Sequence, residues 1–358
     1  MLIFYLNIFT VIFYGFLYSL SPTRTTKKIL IVLITLQLIL IVGLRSYKIN
    51  TDTLNYFYTF KRLDKETFSQ FFAPTNIASD NYAYKFLNYI VWAIGLDFQC
   101  LLIITACLEI IPFSIFIYKH SKNFIFSFLL LLFFNFYLYS LITIRQTIAY
   151  GFMLLNIENI IKRRPFRFIF FILLISMVHI STIVFLPAYL LLKVKPTKKT
   201  LVCYMTASVL IFALRHVLVN FLIGAIFTDY KIVESPSYMF LLFNLLIFLV
   251  SLYLVKKYKA NFLSKTEEEL NNFFLIIFLT GVLLMIFGTV ADNALRIVQF
   301  YSVIVIVLVP NSISLVKPKD TKKLLTVIAI IFFFAAYIKI SSSIFSENMP
   351  EYIPYWVK

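Results

Sequence analysis

Charge is scarce in this chain. Only 14% of its 358 residues are Asp, Glu, Lys or Arg, whereas a soluble domain carries about 25%. Apolar residues reach 61%, aromatics 18%, and the mean hydropathy is +0.91. A water-soluble fold of this length could not hide that much apolar surface, so lipid is part of the solvent. Cysteine is nearly absent too. Cys100, Cys107 and Cys203 lie in apolar segments with no CxxC spacing, which argues against a disulfide framework, a zinc site or a redox centre. The first apolar run, residues 2–20, lacks a basic leader and is long enough to span, so no cleavable targeting segment is expected. No internal repeat or low-complexity linker is evident, and residues 1–358 read as one integral membrane domain.

Acidic residues are outnumbered, 16 against 33 basic ones, for a net charge of +17. In a soluble protein that balance would suggest nucleic acid. Here the Lys and Arg sit in short clusters between apolar runs, as cytoplasmic loop charges do, so no nucleic-acid partner is expected. Ten apolar runs are candidate spans: 2–20, 29–44, 98–118, 124–141, 148–161, 201–223, 238–255, 273–290, 298–316 and 324–344. Segments 82–95 and 168–192 are ambiguous; the first is short, the second is interrupted by His179 and Pro187. If 82–95 stays at the outer interface and 168–192 turns back near His179, every basic cluster faces the cytoplasm. A long outer loop then covers about 45–81, and 256–272 forms a solvated cytoplasmic loop. One face collects Arg45, Asp52, Arg145, Gln146, His179, Asp229, Asp292, Arg296 and the carboxy-terminal tail.

Each of these residues has a structural and a chemical reading. In GLRSYKINTDTLNYFYTF, Gly43 to Phe60, Arg45 either snorkels to headgroups or binds an anion, and Asp52 either caps a helix starting near Thr53 or acts as a base. In TIRQTIAYG, Arg145 and Gln146 sit between apolar helices. An arginine near hydrocarbon costs about 2.5–3.5 kcal/mol or more unless it is paired or lines a wet cavity; its planar fork matches phosphate oxygens. His179, in SMVHISTIVFLPAYLL, is either a packing residue at a helix break or a proton acceptor. In ADNALRIVQFY, Asp292 and Arg296 form an i,i+4 pair, or Arg296 contacts phosphate.

Taken together, the segments GLRSYKINTDTLNY, RQTIAYGFMLLN, VHIST…LPAYLL and the terminal NMPEYIPYWVK resemble, in order, the motifs of the EpsG-like polysaccharide polymerases, relatives of Wzy-type O-antigen polymerases. One departure is Asn50, where the family usually has Gly before the TDT triplet. The resemblance implies an all-α polytopic membrane protein of about 10–12 transmembrane helices, related to the GT-C class of membrane glycosyltransferases. It implies a glycosyltransferase of the bacterial cytoplasmic membrane whose working face looks outward. The substrate would be a glycan repeat unit on undecaprenyl pyrophosphate, transferred onto the non-reducing end of another. Asp52 or His179 would be the catalytic base, with Arg45, Arg145, Gln146 and Arg296 binding the pyrophosphate or substrate. No cofactor or metal is implied, and the absence of a nucleotide-binding Gly-rich loop or DxD accords with a lipid-carried donor. Membrane lipid, a flippase and a chain-length regulator are the expected partners. The competing readings are a flippase for the same lipid-linked glycans, or another membrane glycosyltransferase or ligase.

Overall fold

The computed structural model describes residues 2–73, 81–226, 238–290, 292–347 and 351–357. In chain order the helices are α1 Leu2–Leu20, α2 Arg24–Gly43, α3 Thr51–Lys61, α4 Phe68–Phe72, α5 Tyr82–Ala93, α6 Phe98–His120, α7 Phe124–Phe133, α8 Phe136–Tyr139 and α9 Ile144–Ile161. They continue as α10 Pro165–Ser176, α11 Ala188–Leu191, α12 Lys198–Ile226, α13 Tyr238–Lys257, α14 Lys265–Leu284, α15 Asp292–Ser302, α16 Val305–Ser314 and α17 Lys319–Glu347. Among the described residues the only β pairing is an isolated bridge between Arg45 and Pro354. The chain is an all-α polytopic membrane protein.

Among the described residues, eight stretches are long and apolar enough to cross a membrane: α1, α2, α6, Lys198–Asn220 of α12, α13, Lys265–Thr289, Leu295–Ser314 and Lys319–Ser342. Other apolar segments form shorter helices, Phe124–Phe133, Pro165–Ser176 and Ile180–Leu191. The expected span 124–141 is broken because Asn135 turns into the left-handed region at φ 59, which ends α7 and restarts the chain as α8. The expected loop 256–272 is shorter than the sequence suggests. Ser264 accepts from the Glu267 N–H at 3.1 Å and starts α14 there, with Glu267 and Glu268 favouring the helix N-terminus. Helix faces such as Val202, Met205 and Val209 on α12, or Leu6, Phe9 and Phe13 on α1, are exposed apolar stripes. In water such stripes would drive aggregation; in lipid they are solvated.

The chain divides into two compact units. The first comprises Met1–Leu155, Leu174–Ile180 and Leu325–Lys358; the second comprises Asn156–Leu173 and Ser181–Leu324. In the first, α2 lies directly on α6: a Cβ on Gly43 would come within 3.2 Å of the Ile103 Cα. α5 is 12 residues long, about 18 Å at 1.5 Å per residue, against a hydrocarbon core of about 30 Å. It cannot cross alone, and it packs through Tyr84 and Val91 with Phe60, Leu63, Phe98, Ile144 and Ile148.

In the second unit, Phe185 and Tyr301 meet at 5.1 Å between ring centroids, and the Tyr301 hydroxyl donates to the Val184 carbonyl at 2.7 Å. Phe168, near the start of α10, packs against Tyr189 of α11, with ring centroids 5.6 Å apart. Twenty-one residues of straight helix would hold those rings about 30 Å apart. Segment 168–192 therefore turns back on itself, with the break at Met177–His179 followed by a short 3-10 helix, Ile180–Phe185.

Candidate functional site

The TDT triplet begins a helix, but Asp52 is not its cap. Asn50 is: its Oδ1 accepts from the Thr53 N–H at 2.8 Å, and its Nδ2 donates to the Leu141 carbonyl at 2.9 Å. The Thr53 hydroxyl donates to the same carbonyl at 3.1 Å. Asn50 therefore caps α3 and also ties it to the loop that leads into α9 and Arg145. Its backbone is extended (φ −159, ψ 168), a conformation open to any residue, so Asn in place of the usual Gly carries no strain. Asp52 is left in the first turn, half-buried, with capping done by its neighbour.

Arg145 stands at the start of α9. Its Nε donates to the Tyr56 hydroxyl at 3.4 Å, and its guanidinium lies 5.5 Å from the Tyr56 ring centroid. Tyr56 meets Tyr84 edge-on at 5.4 Å. Asp52 and Tyr84 are further electrostatic neighbours of Arg145. Gln146 is buried and donates to the Tyr150 hydroxyl on its own helix.

Arg45 is fully buried. Its Nη1 donates to the Val42 carbonyl, while Nε and Nη2 have no hydrogen-bond partner in the protein. Burial pushes the guanidinium below its ordinary value and the Glu109 carboxylate opposes that shift; the group stays a cation all the same, because arginine does not deprotonate in proteins. The carboxy-terminal tail covers it. Ser46 N–H donates to the Ile353 carbonyl at 2.7 Å, Tyr355 N–H to the Leu44 carbonyl at 2.9 Å, and the Tyr352 hydroxyl to the Ile41 carbonyl at 2.8 Å. Burial pushes the Tyr352 phenol up to about 12, with Arg45 acting in the opposite sense.

Two groups join these arginines that motif reading did not single out. Tyr84 is buried and within electrostatic reach of both Arg45 and Arg145. Glu109, on α6, is fully buried with neither oxygen hydrogen-bonded in the protein, and Arg45 is its electrostatic partner. A lone carboxylate inside an otherwise apolar span was the signal that could have found it. A Cβ on Gly151 would meet the Glu109 carbonyl at 3.1 Å and the Pro112 Cβ at 3.0 Å. That glycine lets α9 lie against α6 where Glu109 sits.

His179 belongs to the same unit and is partly buried at the break after α10. Its N–H donates to the Ile175 carbonyl at 3.1 Å, and Ala83 N–H donates to the Met177 carbonyl at 3.1 Å, which anchors the break to the start of α5. Thus Arg45, Asp52, Arg145, Gln146 and His179 all lie in the first unit. Arg296 is an exposed residue of α15 in the second unit. The Asp292 side chain and the whole of Asp229 lie outside the described residues.

The EpsG family profile matches residues 28–356, from the first turns of α2 to the tail that covers Arg45. The chain belongs to the EpsG family. No curated protein and no solved structure matches it.

Proposed function

We propose that this EpsG-family protein is a polysaccharide polymerase that joins undecaprenyl-pyrophosphate-linked repeat units at the outer face of the bacterial cytoplasmic membrane. The observation that carries the reading is the gathering of Arg45 and Arg145 around Tyr84, with Asp52 beside Arg145, from segments about one hundred residues apart in sequence. In the reaction, an acceptor sugar hydroxyl forms a bond to the anomeric carbon of the donor glycan. The bond from that carbon to the pyrophosphate oxygen breaks, and the carrier leaves as undecaprenyl pyrophosphate. Fixed guanidiniums in a partly dry site stabilise the charge that develops on the leaving oxygen. The Nε and Nη2 nitrogens of Arg45 keep their N–H groups free for that task. Asp52, not used as a cap, takes the proton of the acceptor hydroxyl. A flippase and a chain-length regulator are the protein's working partners.

The test is purified full-length protein given an undecaprenyl-pyrophosphate repeat unit with no nucleotide sugar and no second enzyme. Long products are expected from the wild type and none from Asp52→Asn, since an amide does not accept that proton usefully. Arg145→Ala should also fail, and Arg145→Lys should recover little, because an ammonium presents no planar fork. Activity that survives Asp52→Asn but is lost in His179→Ala would move the base to His179. Substrate binding without any chain growth would favour a transporter.

A further inference from the structure

Next to Arg45 in the chain lies an open cleft of about 510 Å³, wholly within the first unit. Ligand pockets run from about 300 to 1,000 Å³, so it is large enough to hold a small molecule or a short oligomer. Ser46, the residue after Arg45, lines it, together with Tyr47, Asp64, Trp92, Asp97, Gln99 and Tyr355. Two features of this lining limit what it can take. Asp64 and Asp97 repel a polyanion, and Lys61, the cation at the rim, is already paired with Asp64 at 3.1 Å. A pyrophosphate is therefore a poor fit, and so is a bare acyl chain, which would strand the carboxylates and the Gln99 amide.

The polar groups are held in place rather than free to swing. Asp64 receives the Trp92 indole N–H on Oδ1 at 3.0 Å and the Lys61 ammonium on Oδ2 at 3.1 Å. Those two bonds, Lys61 first, keep the Asp64 carboxyl below the usual carboxylate range, so it stays an ionised acceptor at neutral pH. They also fix the plane of the indole. Tyr47 lies flat on Phe57, with centroids 4.1 Å apart and planes 11° apart, and Phe57 packs edge-on against Phe98. The Asp97 Oδ1 accepts from the Cys100 N–H at 2.9 Å, and the Gln99 Nε2 donates to the Gly43 carbonyl. Tyr355 is brought here by the tail, through its N–H bond to Leu44. Its ring stays half-exposed at the rim.

Flat rings at fixed angles, set among carboxylates and an amide, form the chemistry that recognises a pyranose. The C–H face of a sugar packs on an aromatic ring, and its hydroxyls donate to carboxylates. We propose that this cleft is a glycan subsite that holds the uncharged sugar residues of a repeat unit while the neighbouring arginines hold the pyrophosphate. The assignment rests on the polymerase reading for its place in the reaction, but its binding chemistry can be tested separately. Pre-set rings lose little freedom on binding, which favours selectivity over a surface that must first be ordered.

The experiment uses purified full-length protein in detergent and carrier-free oligosaccharides of one to three repeats, cut from the surface polysaccharide of the source cell. Binding is followed by equilibrium dialysis and by Trp92 fluorescence in a Trp356→Phe background, since the chain has 2 tryptophans. Saturable binding is expected, weakened about tenfold by Tyr355→Ala or Trp92→Ala, as loss of one aromatic contact does. Asp97→Asn preserves the cap and should still weaken binding, which guards against a variant that merely unfolds. Arg145→Ala should bind the free glycan normally while making no polymer. If chain growth fails in the wild type but glycan binding follows this pattern, the subsite stands and the polymerase reading falls. If chains grow and Tyr355→Ala, Trp92→Ala and Asp97→Asn all bind glycan as the wild type does, the cleft is an aromatic anchor at the membrane interface and the proposal is overturned. Absence of saturable wild-type binding overturns it as well. Lipid-linked units binding where free oligosaccharide of three repeats does not would assign the contact to the donor's carrier, against the subsite.

Discussion

At the residue scale, the informative side chains are those that bury charge at a cost. Arg45 and Glu109 are both fully buried, neither is fully hydrogen-bonded in the protein, and each is the other's electrostatic partner. Removing the Glu109 carboxyl leaves the buried Arg45 cation with less compensation, a loss of about 1–3 kcal/mol. Glu109→Ala should therefore melt well below the wild type in a detergent thermal-shift assay. Double substitution with Arg45→Met should restore much of that loss, because no lone charge is left behind. A single Glu109→Ala protein as stable as the wild type would show that Arg45 does not depend on the carboxylate. Motif reading reached Arg45, Asp52 and Arg145 because each is a charged residue within or beside an apolar run and falls in a segment that matches a motif. It passed over Glu109, although the same criterion applied, because no second residue near it in sequence completes a pattern. The partner comes from the turn after α2, and only packing brings it there.

At the scale of elements, the spans were legible from hydrophobic length, and their ends from capping chemistry. α2, α6 and α14 begin at side-chain caps, Thr23, Asp97 and Ser264, which a sequence displays openly. Breaks inside apolar runs were less legible. The local signal in 124–141 is weak: Asn visits the left-handed region more readily than most residues, but a lone Asn in an apolar run does not by itself announce a break. The placing of α9 against α6 was also hidden, because it depends on the missing side chain of Gly151 and becomes visible only when the facing helix is known. Gly151→Val should push α9 off α6, where backbone and Pro112 both stand in the way. The expected loss of stability is about 1–3 kcal/mol, as for overpacked cores, read from melting of the purified protein. Polymer synthesis in cells should fall more than expression does, because the shift also moves Arg145 relative to Glu109. A variant with unchanged melting and full polymer would mean that this helix contact is slack.

At the scale of the whole molecule, what remains is which side of the membrane each loop occupies, and charge and geometry bear on it independently. The basic clusters at Lys162–Arg167 and Lys193–Lys199 flank segment 168–192. A single crossing there would put one cluster outside, against the excess of Lys and Arg that cytoplasmic loops carry. The segment instead brings Phe168 and Tyr189 together at 5.6 Å, and neither arm is long enough to cross by itself: α10 has 12 residues and the following 3-10 helix 6. Irregular backbone such as the Met177–His179 break is tolerated at membrane depth only where protein or water surrounds it. The Met177 carbonyl is met from within the protein, by Ala83 N–H. We therefore expect single cysteines at Lys162 and Lys195 to label from the same side, and only after the cells are permeabilised. A cysteine at Tyr58, on α3 near the proposed site, should label in intact cells with the same impermeant maleimide. The native Cys100, Cys107 and Cys203 are replaced by Ser beforehand, and polymer synthesis by that background is checked first. Should Lys162 and Lys195 label from opposite sides, the turned-back segment would have to cross after all, and His179 could not be placed on the outer face by charge alone. Should Tyr58 label only after permeabilisation, the arginines and the glycan cleft would face the cytoplasm, and an enzyme acting on units already carried outward would be ruled out.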